Sequence, residues 1–147
     1  MKRIIFAEMS GTCRAPMAEA IMVDCLVHSS EAIEVCSRGL VVLFEEPINQ
    51  KAQAVLMSNG IDKSDYVSRQ LVPADVHDET VVYVMDSREL AKAREIVGSD
   101  RADQVFLLNE AVGEELEIMD PYGAPLPSYG LCYESMAMTI KKLALMF

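Results

Sequence analysis

The chain has 147 residues, 51% of them hydrophobic, and its 13 basic and 23 acidic residues give a net charge of −10. This length and apolar content predict a single folded domain over residues 1–147 and argue against a disordered chain. The acidic balance argues against nucleic acid and anionic membrane surfaces as partners.

The N-terminal residues and the cysteines bear on the cellular location. The apolar part of residues 1–7 is too short for a signal peptide, and no stretch reaches the ~20 apolar residues of a membrane span. We therefore expect a cytoplasmic protein whose cysteines are reduced. These cysteines are Cys13, Cys25, Cys36 and Cys132. None belongs to a Cys-x-x-Cys pair, so we expect no zinc or thioredoxin-type site and no cofactor.

Apolar runs typical of buried strands alternate along the chain with amphipathic segments typical of helices. Strands are predicted at residues 2–7, 33–37, 81–85 and 105–108, with 81–85 as a candidate for the central strand. Helices are predicted at residues 16–28, 47–59, 87–97 and 126–146. This alternation predicts an α/β fold in three layers, with a four-stranded parallel sheet between helices.

Two helices carry residues that we expect in the core. In the second helix, Ala54, Val55 and Met57 are predicted to face inward. In the last helix, the methionines Met136, Met138 and Met146 are predicted to fill gaps in the core, because the methionine side chain adapts to irregular spaces.

The segment between the first strand and the first helix has the form of an anion-binding loop. It runs from Glu8 to Arg14, and Pro16 lies in the first turn of the following helix. In a parallel sheet, ligands bind beyond the carboxyl ends of the strands, where this loop belongs. Backbone N–H groups at a helix N-terminus attract an anion there, and a guanidinium such as that of Arg14 can grip two phosphate oxygens.

The run Arg-Ala-Pro-Met-Ala-Glu-Ala at residues 14–20 closely resembles the active-site loop of the low-molecular-weight protein tyrosine phosphatases. In that family a cysteine, five further residues and an arginine precede Ser-Pro-Met-Ala-Glu-Ala. Counting back from Arg14 places Glu8 at the position of the nucleophilic cysteine. Gly11 stands where the family has a loop-stabilising asparagine, and Ala15 stands where it has a serine that hydrogen-bonds the thiolate.

The resemblance covers nearly the whole chain and implies the phosphotyrosine phosphatase I-like fold. Further matching stretches lie at residues 37–40, 60–62, 68–71, 84–86 and 108–110. The resemblance implies that phosphate is bound by Met9, Ser10, Gly11, Thr12, Cys13 and Arg14. Thr12 hints at phosphoarginine, because members directed at phosphoarginine carry threonine at this position, whereas tyrosine-directed members commonly carry isoleucine.

The sequence Asp-Pro-Tyr-Gly at residues 120–123 matches the family loop whose aspartate protonates the leaving oxygen. The resemblance therefore implies that Asp120 is the general acid. The alternative is a plain β-turn, since these residue types all suit turn positions. Tyr122 and Tyr129 resemble aromatic residues near the substrate cleft of the family.

Three interpretations of Glu8 stay open. It can pair with Arg14 as a built-in anion that keeps the loop closed, because its carboxylate competes with phosphate for the same donors. It can act as a carboxylate nucleophile, although such reactions usually depend on bound Mg²⁺ and no acidic cluster for that ion is visible. The whole segment can also be an ordinary junction between a strand and a helix.

The resemblance leads to two main hypotheses about function. The first is a phosphatase-like binding or regulatory protein that has lost cysteine chemistry, because Glu8 replaces the nucleophile. The alternative is a residually active phosphatase that hydrolyses phosphotyrosine or phosphoarginine with Arg14 and Asp120. Either hypothesis makes a phosphorylated protein or peptide the expected partner. A relative of arsenate reductases is less well supported, since such an enzyme needs the missing loop cysteine and a resolving pair.

Overall fold

Four parallel strands form one sheet: β1 (Lys2–Glu8), β2 (Ile33–Gly39), β3 (Thr80–Val84) and β4 (Val105–Leu107). The computed structural model, which describes residues 1–147, orders the strands β2-β1-β3-β4 and pairs all neighbours in parallel. The strand predicted at 81–85 therefore occupies one of the two central positions, beside β1. The predicted four-stranded parallel sheet is confirmed.

Five helices surround the sheet: α1 (Arg14–Cys25), α2 (Gln50–Ser58), α3 (Ser87–Val97), α4 (Leu108–Ala111) and α5 (Leu126–Ala144). Strand β1 separates the two cores of the protein, because successive side chains of a strand point to opposite faces. Ile4 and Phe6 lie in the core shared with α1, α2 and α5, whereas Ile5 and Ala7 lie in the core shared with α3. The predicted three-layer arrangement is thus confirmed. None of the helices combines the length and apolar character needed to cross a membrane.

The inward face of α2 differs from the prediction. Val55 is buried as expected, but Ala54 and Met57 are exposed. Ala52 and Leu56 are buried instead, so the inward stripe follows the spacing 52, 55 and 56. The small side chain of Ala52 lets the helix approach the core closely, which a count of large apolar residues does not reveal.

The methionines near the C-terminus only partly fill the core. Met136 is fully buried, but Met138 and Met146 are 66% and 61% exposed, so the prediction for these two was wrong. The buried stripe of α5 runs through Tyr129, Met136, Ile140 and Leu143, and Met138 lies off it. Met146 follows the end of the helix at Ala144.

Candidate active site

The loop of residues 8–14 is fixed at the edge of the sheet by backbone contacts on both sides. Glu8 is the last residue of β1 and is paired with Gly39 of β2. Its carbonyl accepts a hydrogen bond from the N–H of Leu40 at 2.9 Å. The carbonyl of Thr12 accepts one from the N–H of Asn49 at 2.8 Å. The loop therefore lies beyond the carboxyl end of a central strand, where the sequence placed it.

Gly11 allows the loop to pack directly on the backbone of β2. It has a φ of +73°, and a Cβ at this position would lie 2.8 Å from the backbone nitrogen of Gly39. Asparagine tolerates such a φ, but no side chain fits at that distance. The hydroxyl of Tyr66 also donates a hydrogen bond to the Gly11 carbonyl. These contacts explain a glycine where the resemblance leads one to expect asparagine.

The side chain of Glu8 turns into the loop and is buried. Its Oε2 accepts hydrogen bonds from the backbone N–H groups of Cys13 at 2.9 Å and Ala15 at 2.6 Å. Both donors lie at the N-terminus of α1, whose N-cap residue Cys13 offers no side-chain acceptor. Glu8 therefore supplies the acceptor that the N-cap residue lacks, and α1 begins at Arg14 rather than at residue 16 as predicted.

Arg14 is completely buried and its guanidinium is already occupied. Its Nη1 donates to the Ile118 carbonyl at 2.6 Å, and its Nη2 donates to Oε2 of Glu89 at 2.8 Å. Its Nε lies 3.5 Å from Oε1 of Glu8, so the predicted contact between Glu8 and Arg14 is present. This Nε makes no hydrogen bond, although it is buried.

Glu89 is a member of this site that the sequence analysis missed. Besides Arg14, it accepts hydrogen bonds from the N–H of Met9 at 2.8 Å and that of Met85 at 3.1 Å. A local signal existed, because Asp86 and Glu89 have the spacing of a capping box at the start of α3. Asp86 does cap the helix by accepting from the Glu89 N–H at 2.9 Å, but the Glu89 carboxylate serves the loop instead.

Four carboxylates surround the single guanidinium of Arg14. Besides Glu8 and Glu89, Asp86 and Asp120 contribute carboxylates. Oδ2 of Asp86 lies 3.5 Å from Nη1 of Arg14, and Oδ2 of Asp120 lies 3.9 Å from its Nη2. Burial raises the pKa of Glu8, and it raises the pKa of Glu89 to about 7, because desolvation outweighs the attraction of Arg14. Glu8 and Glu89 therefore titrate as a coupled pair whose burial disfavours the ionised forms, while Arg14 between them favours those forms.

Cys13 lies in the loop with a buried thiol. Burial raises the pKa of this thiol well above its ordinary value, and the nearby Glu8 carboxylate raises it further. A reactive cysteine needs the opposite environment, one that favours the thiolate. In this conformation Cys13 is therefore a neutral thiol.

The hydroxyls of Ser10 and Thr12 form a polar rim on the loop. Their oxygens lie 2.9 Å apart, and the Thr12 N–H donates to Oγ of Ser10 at 3.2 Å. Thr12 is partly exposed, so its side chain is accessible at the mouth of the loop. Its predicted influence on specificity stays a prediction.

Asp120 approaches the loop from a turn. One carboxylate oxygen accepts from the N–H of Tyr122 at 3.0 Å, and the other lies 3.9 Å from Nη2 of Arg14. Asp120 therefore takes part in a turn and also faces the loop. This placement is compatible with the general-acid interpretation and with the β-turn interpretation. Its role as an acid stays a prediction.

The two tyrosines differ in exposure. Tyr122 is 80% exposed beside Asp120, whereas Tyr129 is buried on the inward face of α5, with Nζ of Lys51 5.7 Å from its ring centroid. In this conformation the exposed side chain of Tyr122 is accessible to a ligand, whereas the side chain of Tyr129 packs in the core. Contact of either tyrosine with a substrate stays a prediction.

Comparisons with known proteins identify the family of this chain. The family model for low molecular weight phosphotyrosine protein phosphatase matches residues 3–146. The chain belongs to this family.

Individual relatives are similar over most of their length. The probable low molecular weight protein-tyrosine-phosphatase EpsP of Ralstonia nicotianae is 31% identical over 131 residues, which is 88% of this chain and 84% of that protein. The crystal structure of a low molecular weight protein tyrosine phosphatase from T. tengcongensis has a TM-score of 0.90 and 30% identity, with both chains fully covered. The YwlE arginine phosphatase from Geobacillus stearothermophilus has a TM-score of 0.87 and 28% identity, covering 99% of this chain and 92% of that one.

Proposed function

We propose that this chain is a phosphatase-like protein whose loop is occupied by its own Glu8 carboxylate, and that it acts as a binding or regulatory protein. The observation that carries this proposal is the pair of hydrogen bonds from Cys13 N–H and Ala15 N–H to Oε2 of Glu8. Donors at a helix N-terminus are the ones that a bound phosphate uses. Glu8 thus takes the place of the ligand as well as that of the family nucleophile.

Electrostatics strengthens the competition between Glu8 and an incoming phosphate. Two unit charges about 4 Å apart repel by ~4 kcal/mol at an effective dielectric of ~20. That energy lowers affinity by roughly a thousandfold. Glu89 and Glu8 also hold Arg14, so binding of phosphate by its guanidinium requires exchange of these partners.

The second candidate is hydrolysis of phosphotyrosine or phosphoarginine, and the comparisons favour it over the first. The relatives described above are named phosphatases, and Cys13 places a sulfur within the loop. Asp120 near Arg14 supplies an acid of the required kind. Thr12 and the similarity to an arginine phosphatase support phosphoarginine as the substrate within this candidate.

Turnover of p-nitrophenyl phosphate separates the two candidates. We would compare the unaltered chain with Glu8→Cys, Asp120→Asn and Cys13→Ser. The first candidate predicts no turnover above a blank for the unaltered chain and measurable turnover for Glu8→Cys, since the variant regains a thiol beside the loop donors. Turnover by the unaltered chain that Asp120→Asn abolishes supports hydrolysis instead. Loss of that turnover in Cys13→Ser then identifies Cys13 as the nucleophile.

If Glu8→Cys shows no turnover of p-nitrophenyl phosphate, one further variant is needed. Ala15→Ser in the same chain restores the hydroxyl that the resemblance assigns to thiolate stabilisation. Gly11→Asn is unsuitable for this purpose, because its Cβ would collide with Gly39. If the double variant is also inactive toward the aryl phosphate, the loop no longer supports cysteine chemistry.

A further inference from the structure

A groove of about 770 Å³ lies between the segment 114–121 and the outer side of α5, beyond Asp120. The wall from the helix contains Ser128, Leu131, Cys132, Ser135, Met138 and Thr139. These residues recur every three or four positions, so they form a single stripe along the helix. The opposite stripe of α5 faces the core through residues such as Met136 and Ile140.

Large apolar side chains in this groove are exposed. Leu116 and Met119 of the segment are 83% exposed, and Leu131 and Met138 of the helix are 67% and 66% exposed. A cluster of exposed apolar residues is typical of an interaction surface, whereas isolated ones are ordinary. Methionine side chains are flexible and polarisable, and they suit surfaces that adapt to a partner.

The charges that line the groove have one sign. Its acidic members are Glu114, Glu115, Glu117 and Asp120, and no lysine or arginine is among the lining residues. Lys142 forms an ion pair with Glu114 at 2.9 Å, and Asp120 lies 3.9 Å from Nη2 of Arg14, so Glu115 and Glu117 are the groove carboxylates without a cationic partner. The chain as a whole carries a net charge of −10. The complementary partner is therefore cationic as well as apolar.

We propose that this groove docks a basic amphipathic helix of a partner protein. Helices of this kind place their apolar face in a hydrophobic groove, with anchors spaced at i, i+3, i+4 and i+7, and their cationic face toward acidic residues at the rim. The stripe from Ser128 to Thr139 is about 17 Å long, which matches a helix of roughly 12 residues. The proposal does not depend on whether the loop hydrolyses phosphate.

The docking groove is connected to the candidate active site through Ile118. The N–H of Ile118 donates to the Met85 carbonyl at 3.1 Å, and its carbonyl accepts from Nη1 of Arg14 at 2.6 Å. Ile118 also lines the groove, together with Asp120. A helix in the groove therefore lies against the segment that positions Arg14.

The probe for this proposal is a fluorescein-labelled synthetic peptide of roughly 12 residues, built from leucine and lysine in an amphipathic helical order. Its binding to the full chain is measured by fluorescence anisotropy. One control peptide has the same composition in an order without an apolar face, and a second has glutamate in place of lysine. We expect saturable binding of the amphipathic basic peptide and no binding of either control.

Matched variants locate the binding. Leu131→Ser and Met138→Ser should each weaken affinity by about tenfold, as expected for central anchors. Leu145→Ser and Met57→Ser are the controls, because both residues are exposed and lie outside the groove. Glu115→Gln should weaken binding and reduce its dependence on salt, whereas Glu95→Gln, on α3, should do neither. Circular dichroism verifies that each variant is folded.

Several results would overturn the proposal. The first is absence of binding, and the second is an equal effect of groove and control variants, which indicates unspecific attraction to an acidic protein. The third is self-association in sedimentation that Leu131→Ser abolishes while the peptide does not bind. In that case the groove is occupied by a second copy of this chain.

Discussion

Nη2 of Arg14 and Oε2 of Glu89 lie 2.8 Å apart, and both side chains are completely buried. Glu89 also accepts the N–H of Met9 at the start of the loop and that of Met85 at the end of β3. One carboxylate thus joins the loop, helix α1 and the neighbouring strand. The loop geometry depends on this contact as much as on Glu8.

Removing the Glu89 carboxylate should destabilise the protein strongly. Glu89→Ala leaves a buried guanidinium with one partner fewer and two N–H groups without an acceptor, which costs about 3 kcal/mol or more. Urea unfolding near pH 8 measures the change, and Glu95→Ala on the exposed side of α3 is the control. A loss below ~0.5 kcal/mol, the range of ordinary surface substitutions, would show that the cluster does not hold the loop.

The same residue should make stability depend on pH. Burial raises the pKa of Glu89 to about 7, so the folded state binds its proton more tightly than the unfolded chain does. The unfolded group ionises near pH ~4.3, and between that pH and about 7 the folded state therefore loses stability as pH rises. The loss attributable to this group is on the order of 3 kcal/mol and is complete above pH ~7.

Comparison with Glu89→Gln isolates the contribution of Glu89, because the other titrating groups contribute to the pH dependence of stability in both proteins. We expect the unfolding free energy of the unaltered chain, minus that of the variant, to fall as pH rises from about 5 to 8. Urea midpoints in one series of buffers provide the measurement. A difference that grows with pH would mean that the folded state favours the ionised carboxylate.

Glu8 should be replaceable by a real anion. Glu8→Ala removes the acceptor for the N–H groups of Cys13 and Ala15, so we expect a loss on the order of 2 kcal/mol. Inorganic phosphate at about 50 mM should then raise the Tm of the variant, because a ligand that binds only the folded state stabilises it. The unaltered chain should show no such rise, since its donors are occupied.

Sodium chloride at the same ionic strength is the control for this experiment, because it separates specific binding from screening. Equal stabilisation of both proteins by phosphate would contradict the idea that Glu8 occupies the anion site. Such a result would also weaken the first candidate function, since an accessible loop is what a working phosphatase requires.

The sequence predicted the parts of the fold that depend on local signals. The apolar run of β1, the loop up to Arg14, and the bounds of α3 at Ser87 and Val97 all follow from neighbouring residues. Helix α4 was not predicted, because its four residues are too few to show a period, and Leu108 extended the apparent strand instead.

The partners of Arg14 were harder to predict. Glu89 lies 75 residues from Arg14 along the chain, and Ile118 lies 104 residues away. The local pattern at Glu89 indicated a helix cap, and only the packing of α3 against the loop redirects its side chain. The contact with Glu8 was predictable, because a strand that leads into a helix brings both residues to one loop.

Cys13 should be the least reactive of the four cysteines. Its thiol is the most deeply buried of the four, and burial together with the Glu8 carboxylate raises its pKa far above the ordinary value. Burial also raises the pKa of Cys36 and Cys132, but only to about 11. Because alkylation requires the thiolate, iodoacetamide should modify Cys13 more slowly than the others, as followed by peptide mass spectrometry. The rate should increase in Glu8→Ala, where one cause of the raised pKa is gone. Preferential labelling of Cys13 in the unaltered chain would instead reveal an activated thiolate, and would favour the hydrolytic candidate.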